Sequence, residues 1–403
     1  MNLLEKRLLS SIDEGRAIKL LADLVKIPSP NPPGDARDIA HFLERTMREK
    51  GLHADLYPVE ENYVSVVVRI KGTGGGKSLL LNSHIDTVPI GDRAKWTLDP
   101  LSAEVQNGKM YGRGSTDCKS GVAAMILAAE ALAKSQVLLK GDVILTLVAG
   151  EETLSDKGTA YLLNQGLVKA DGAIVAEPTT LPSEDSSPQP LQIFIASRGM
   201  AWLEITVEGK SVHAKIAPSG INAIEKMAKI VLALQNIRFD RGSEHPFCGM
   251  PTLNVGIIAG GTSPNIVPDY CSIKLDRDIV PGENPGRVID EIIGVIDQLK
   301  AKDKDLKATI TRLLTEDPVE ISKDEPIVKT LNQSIKAALG VEAKIGGMIG
   351  TNDSRFLIKK GIPTVVCGPG ISTQSHNIDE YVEINAIVNA AKAYALLMSR
   401  FCG

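Results

Sequence analysis

The chain has 403 residues, 43% of them hydrophobic, with 45 Lys and Arg set against 49 Asp and Glu for a formal net charge of -4. The near balance and the dispersal of the basic residues leave no electrostatic footprint for nucleic acid, so a small molecule or peptide is the expected partner. At roughly 150 residues per domain, two domains are expected.

Met1 to Glu14 mixes charge into apolar positions at helical spacing, and no run approaches about 18 apolar residues, so neither a signal peptide nor a membrane span is expected. After this N-terminal helix, a Pro-rich loop from Ile27 to Gly34 leads into an amphipathic helix over 35–50. Strands are predicted at 63–70 and 78–85, and the Gly-rich Lys71 to Lys77 between them reads as a hairpin turn. It is no phosphate-binding loop, since Lys71 stands where the first glycine belongs and a strand follows. A helix is expected over 119–134, and buried parallel-type strands at 142–149 and 172–176.

The segment Pro178 to Pro190, rich in Pro and Ser, cannot continue a regular element and marks a boundary. Beyond it, strands at 191–197, 201–208, 252–256 and 270–278 alternate with helices over 221–236 and 285–299. They imply two helices on a four-strand antiparallel sheet. A helix over 325–339, a strand at 363–367 and a helix over 384–401 return to the first style. The fold expectation is therefore α/β: a mixed, largely parallel sheet flanked by helices, built from 1–190 and 315–403, with an α+β domain inserted at 191–314. Cys118, Cys248, Cys271, Cys367 and Cys402 are odd in number and widely spaced, which reads as reduced, mostly buried thiols of a cytoplasmic protein.

Five segments, most of them apolar runs, end in a side chain that can bind a metal or move a proton: His84 with Asp86, Asp117, Glu151 with Glu152, Glu177, and His376. Ligands in open α/β sheets collect beyond the carboxyl ends of the strands, so residues scattered over nearly 300 positions can meet there. Singly, each has an ordinary reading. A strand-end His is commonly a hydrogen-bonded structural residue, Asp117 would serve as a helix N-cap, and adjacent glutamates usually form a solvated turn. Together, two His and several carboxylates suit a pair of zinc ions.

His84-Ile-Asp86-Thr-Val-Pro, Gly112-Arg-Gly-Ser-Thr-Asp117, Glu151-Glu152, Glu177-Pro and Ser375-His376 occur in an order that resembles the dinuclear zinc amidohydrolases. That family includes acetylornithine deacetylase, succinyl-diaminopimelate desuccinylase, aminoacylase and the glutamate carboxypeptidases. The resemblance implies that Asp117 bridges two zinc ions, for which cobalt can substitute. His84 and Glu177 would complete one site, and Glu152 and His376 the other. It implies Glu151 as general base and Asp86 as the partner that orients His84. It further implies that the inserted domain is a lid forming a homodimer, in which His213 reaches the other subunit's active site. Arg198, Asn265 and Arg277 would hold the substrate. Two departures are Gly150 before the Glu pair and Cys118 after the bridging Asp. The implied activity is cleavage of the amide bond of an N-acyl amino acid. A carboxypeptidase or dipeptidase of the same family is the alternative, with a non-catalytic metal-binding interaction protein as the remaining one.

Overall fold

The computed structural model describes residues 1–181, 191–239 and 244–403. Most of the expected break at 178–190 lies outside the described residues. The chain forms two compact units, one of residues 1–195, 321–346 and 352–403, the other of residues 196–320 and 347–351.

In the first unit, four parallel strands lie side by side in the order Val143–Val148, Leu79–His84, Gly172–Pro178 and Thr364–Gly368. They are buried throughout, as continuous apolar runs covered on both faces should be. Val64–Ile70 and His53–Pro58 extend the sheet antiparallel on one side, and Ile193–Ser197 pairs antiparallel with Thr364–Gly368 on the other. The helix Lys119–Lys134 is small and apolar nearly all round and is buried from Lys119 to Leu132. It packs between the sheet and the helices Glu14–Lys26 and Ile384–Cys402. A separate three-strand ribbon pairs Tyr381–Glu383 with Lys109–Tyr111 and Val105–Gln106.

The hairpin expected at Lys71 to Lys77 does not form, because Val143–Val148 inserts between the two strands it was to join. The glycines serve close packing instead. Thr73 N and Gly74 N donate to Leu139 O and Lys140 O at 2.8 Å, and a Cβ at Gly72 would meet Lys140 O at 2.4 Å.

The second unit is a four-strand antiparallel sheet in the order Leu253–Gly260, Tyr270–Ile279, Gly199–Glu208, Lys307–Glu316. The period-2 alternation of Gly199–Glu208 turns Leu203, Ile205 and Val207 onto the helices Ala223–Gln235 and Pro285–Lys302. Each helix starts on an Asn cap, Asn222 or Asn284, whose side chain accepts from first-turn amides. The expectation of a four-strand sheet with two helices holds, but its membership differs. Ile193–Ser197 belongs to the large sheet, and Lys307–Glu316, where no strand was expected, is the fourth strand. All five cysteines are free and buried. Among the described residues no helix is long and apolar enough to cross a membrane.

Candidate metal centre

His84 ends its strand opposite Val148, and the chain leaving Val148 reaches Glu151 and Glu152 within four residues. Glu177 closes the neighbouring strand Gly172–Pro178, which pairs with the strand that precedes His376. Asp117 stands two residues ahead of the helix Lys119–Lys134. Parallel register therefore brings the carboxyl ends of these central strands together, and the loops beyond them carry the side chains to one place.

They fall into two overlapping groups, whose potential ligand atoms lie within 4.8 Å of one another: His84, Asp117, Cys118 and Glu177, and Asp117, Glu152 and His376. Asp117 is common to both. His84 Nε2 is 3.0 Å from Asp117 Oδ1 and 3.6 Å from Glu177 Oε1. His376 Nε2 is 3.3 Å from Asp117 Oδ2 and 3.1 Å from Glu152 Oε2.

The charges are tightly interdependent. Burial alone would raise the Asp117 carboxyl, but hydrogen bonds from His376 and His84 hold it far below the usual carboxylate range. The hydrogen bonds of His376 to Asp117 and Glu152 lift it to about 10, against burial. His84 is driven down by burial, yet Glu177 and Asp117 leave it well above an ordinary imidazole. Burial pushes Glu177 up to about 8, against the attraction of His84. Burial likewise raises Glu151, Glu152 and the Cys118 thiol.

The donor set fits a cation. Glu177 Oε1 is buried and receives no hydrogen bond from the protein. Buried carboxylates crowded beside imidazoles are stabilised when they coordinate metal.

The surrounding contacts orient the donors. His84 Nδ1 lies 2.9 Å from the backbone carbonyl of Asp86 and 3.7 Å from its Oδ1, so the nearer partner is the carbonyl. The Asp86 carboxylate instead accepts from the amides of Glu151 at 3.4 Å and Glu152 at 3.3 Å, and from Asn31 Nδ2 at 2.8 Å. Glu152 Oε1 accepts from Val88 N at 3.0 Å. No described residue donates a hydrogen bond to the Glu151 carboxylate, which stays partly buried. Buried Asp353, whose Oδ2 accepts from Thr159 Oγ1 at 2.6 Å, adds to the negative field on Glu151 and Glu177.

Sequence reasoning missed Asn31, Arg113, Asp353 and Glu380 as site residues. For two of them proximity was an available signal: Arg113 sits inside the segment ending at Asp117, and Glu380 four residues past His376.

The remaining candidates belong to the second unit. His213 and Asn265 are exposed, and their segments meet through a hydrogen bond from Ala214 N to Asn265 O at 2.9 Å. Arg277 is buried, with Nη2 at 2.6 Å from Glu283 Oε1 and its guanidinium 4.5 Å above the Phe239 ring. Arg198 binds the carbonyls of Cys248 and Met250 and pairs with Asp278 Oδ2 at 2.9 Å. Both guanidiniums thus have intramolecular partners.

A cluster beyond the carboxyl ends of the strands, with one carboxylate shared by two imidazoles and a glutamate not hydrogen-bonded by the protein, defines a metal-dependent hydrolase. The profile of Peptidase family M20/M25/M40 matches residues 80–400, and the chain belongs to that family. It is 26% identical to the N-formyl-4-amino-5-aminomethyl-2-methylpyrimidine deformylase of Halalkalibacterium halodurans, over 98% of this chain and 97% of that protein. It is 25% identical to a probable succinyl-diaminopimelate desuccinylase of Staphylococcus epidermidis, over 95% and 97%. A Bacillus subtilis dinuclear metal-binding peptidase of the M20 family shares the fold, with a TM-score of 0.73 at 18% identity over 96% and 98% of the two chains.

Proposed function

We propose that this metallohydrolase cleaves the amide bond of N-acyl amino acids using two zinc ions, which cobalt can replace. The observation carrying this reading is that Asp117 belongs to both donor groups while Glu151 belongs to neither. In this assignment Asp117 would be shared by the two ions, His84 and Glu177 would hold one of them, and Glu152 and His376 the other. Bound ions supply the Lewis acidity that makes water nucleophilic near neutral pH and polarises the scissile carbonyl.

Glu151 is the general base: it takes the proton of the attacking water and passes it to the leaving amine. Its burial supports this role, because a raised carboxyl pKa moves toward the operating pH. Asp86 fixes the glutamate pair through both backbone amides, so that one glutamate can face the ions and its neighbour the water.

The second unit serves as lid and homodimer contact. Ile257 and Ile258, 58% and 60% exposed, lie on the terminal strand Leu253–Gly260 of its sheet, an edge that a two-fold partner can cover. His213, exposed on this unit, would then stabilise the oxyanion from across the dimer, with Asn265 beside it. Arg198 and Arg277 are proposed to hold the substrate carboxylate, and Arg277 would have to exchange its Glu283 partner to do so.

The deformylase and desuccinylase names of the relatives both denote removal of an acyl group from nitrogen, which favours deacylation over the carboxypeptidase or dipeptidase alternative. Turnover on a panel of N-acyl amino acids and dipeptides, with metal content measured in parallel, tests this. Hydrolysis of N-acyl amino acids, abolished by chelation and restored by zinc or cobalt, is expected. Turnover confined to dipeptides refutes the substrate assignment, and a protein without tightly bound transition metal refutes the centre.

A further inference from the structure

Glu380 is 0% exposed, yet its carboxylate accepts four hydrogen bonds, all from the short loop that ends at Asp117. Oε2 takes Arg113 Nη1 at 2.6 Å and Gly114 N at 3.0 Å. Oε1 takes Thr116 N at 2.8 Å and Asp117 N at 3.0 Å. The amides converge because Gly114 adopts φ +80°, where an added Cβ would also meet Thr87 Cγ2 at 2.4 Å. Such a concave set of backbone amides is an anion-binding nest, filled here by a side chain of the same chain.

The other end of the tie is His376. Its carbonyl accepts from Arg113 Nη2 at 3.4 Å, so one guanidinium touches both Glu380 and the His376 backbone. His376 itself holds φ +64°, a conformation uncommon outside glycine that its surroundings must maintain. The ribbon register Tyr381↔Tyr111 and the bond from Gly112 N to Glu380 O at 2.9 Å continue the same contact.

We propose that Glu380 is a positioning residue: it locks the Asp117 loop to the His376 loop, joining two metal ligands 259 positions apart in sequence, and so sets the affinity for the ion they share. This rests on the metal-centre reading above. A plain contribution to stability is the weaker explanation, since a buried ion pair adds little net stability over apolar packing. The donors also gather on the residues leading to a single ligand, which is what positioning requires.

The test uses the full-length protein stripped of metal, titrated with Co²⁺ by equilibrium dialysis, with d–d absorption and thermal unfolding of the apo form followed in parallel. In Glu380→Gln one side-chain oxygen becomes an amide NH2 that must face donors, because each oxygen of the wild-type carboxylate accepts two. One ion should then bind about 10–100-fold more weakly, the usual scale for losing a group that orients a ligand. The other, held also by His84 and Glu177, should change less, and the d–d spectrum should lose the contribution of one site. Glu380→Asp keeps the charge facing Arg113 but retracts the oxygens. It should show the same selective loss, and it supplies the answer should the Gln variant not fold. A lowered apo melting temperature with both binding constants at wild-type values, or an equal weakening of both ions, overturns the proposal. A wild-type protein that binds no Co²⁺ overturns the metal-centre reading itself.

Discussion

Replacing Glu151 and Glu152 separately by Gln should give two different failures, although the residues are adjacent and chemically identical. The Glu151 carboxylate receives no hydrogen bond from any described residue, so Glu151→Gln removes a proton acceptor and breaks no protein hydrogen bond. General-base catalysis is worth about 10²–10⁴-fold, or about 3–5 kcal/mol of barrier, and turnover should fall by that amount with metal content unchanged. Glu152 differs, since its Oε2 lies 3.1 Å from His376 Nε2 and its Oε1 accepts from Val88 N at 3.0 Å. Glu152→Gln should therefore weaken ion binding, with activity recovering in part at high zinc. The assay is steady-state hydrolysis of an N-acyl amino acid across a zinc titration, with metal counted by elemental analysis. If both variants lose metal equally and neither loses turnover at saturating zinc, the division of roles is wrong.

Asn31→Ala removes a 2.8 Å donor from buried Asp86 and should lower unfolding free energy by about 1–3 kcal/mol, read by urea denaturation; an unchanged midpoint contradicts the inferred bond. Arg277→Ala strands Glu283, whose side chain keeps 19% exposure, so a loss near the low end for broken buried pairs, about 3 kcal/mol, is expected. The same variant should also lose kcat/KM selectively for substrates bearing a free carboxylate, and an unchanged preference for the carboxylate removes Arg277 as the clamp. Lys226 and Lys229 hold Asp303 down to about 2, below the roughly 3.9 of an unfolded Asp. A depressed carboxylate stabilises above its unfolded pKa, and that stability is lost as pH falls through the folded value. Asp303→Asn should accordingly flatten the stability profile between about pH 4 and 2, and a profile identical to wild type removes Asp303 as its cause.

Asp117 before its helix, and Glu152 and His376 in loops beyond their strands, were readable through the order of the motifs, whereas His84 and Glu177 were readable as candidate donors because strand-end placement follows from apolar run length, a local property. The buried strands and the helix Lys119–Lys134 were legible for the same reason. Partners were not. Whether Val64–Ile70 pairs with Leu79–His84 or with Val143–Val148 depends on which strands compete for each edge, and the answer removed a hairpin. Composition likewise could not say that Lys307–Glu316 completes the second sheet while Ile193–Ser197 joins the first, since both have strand-like character. Within the site, the sequence put Asp86 beside His84, but only folding turned its carboxylate toward the Glu151 and Glu152 amides and left the backbone carbonyl to the imidazole. Glu380 shows the limit most plainly. Its role depends on four donors more than 260 positions earlier, and a hydrogen bond across that separation is specified by three-dimensional packing and by no local pattern.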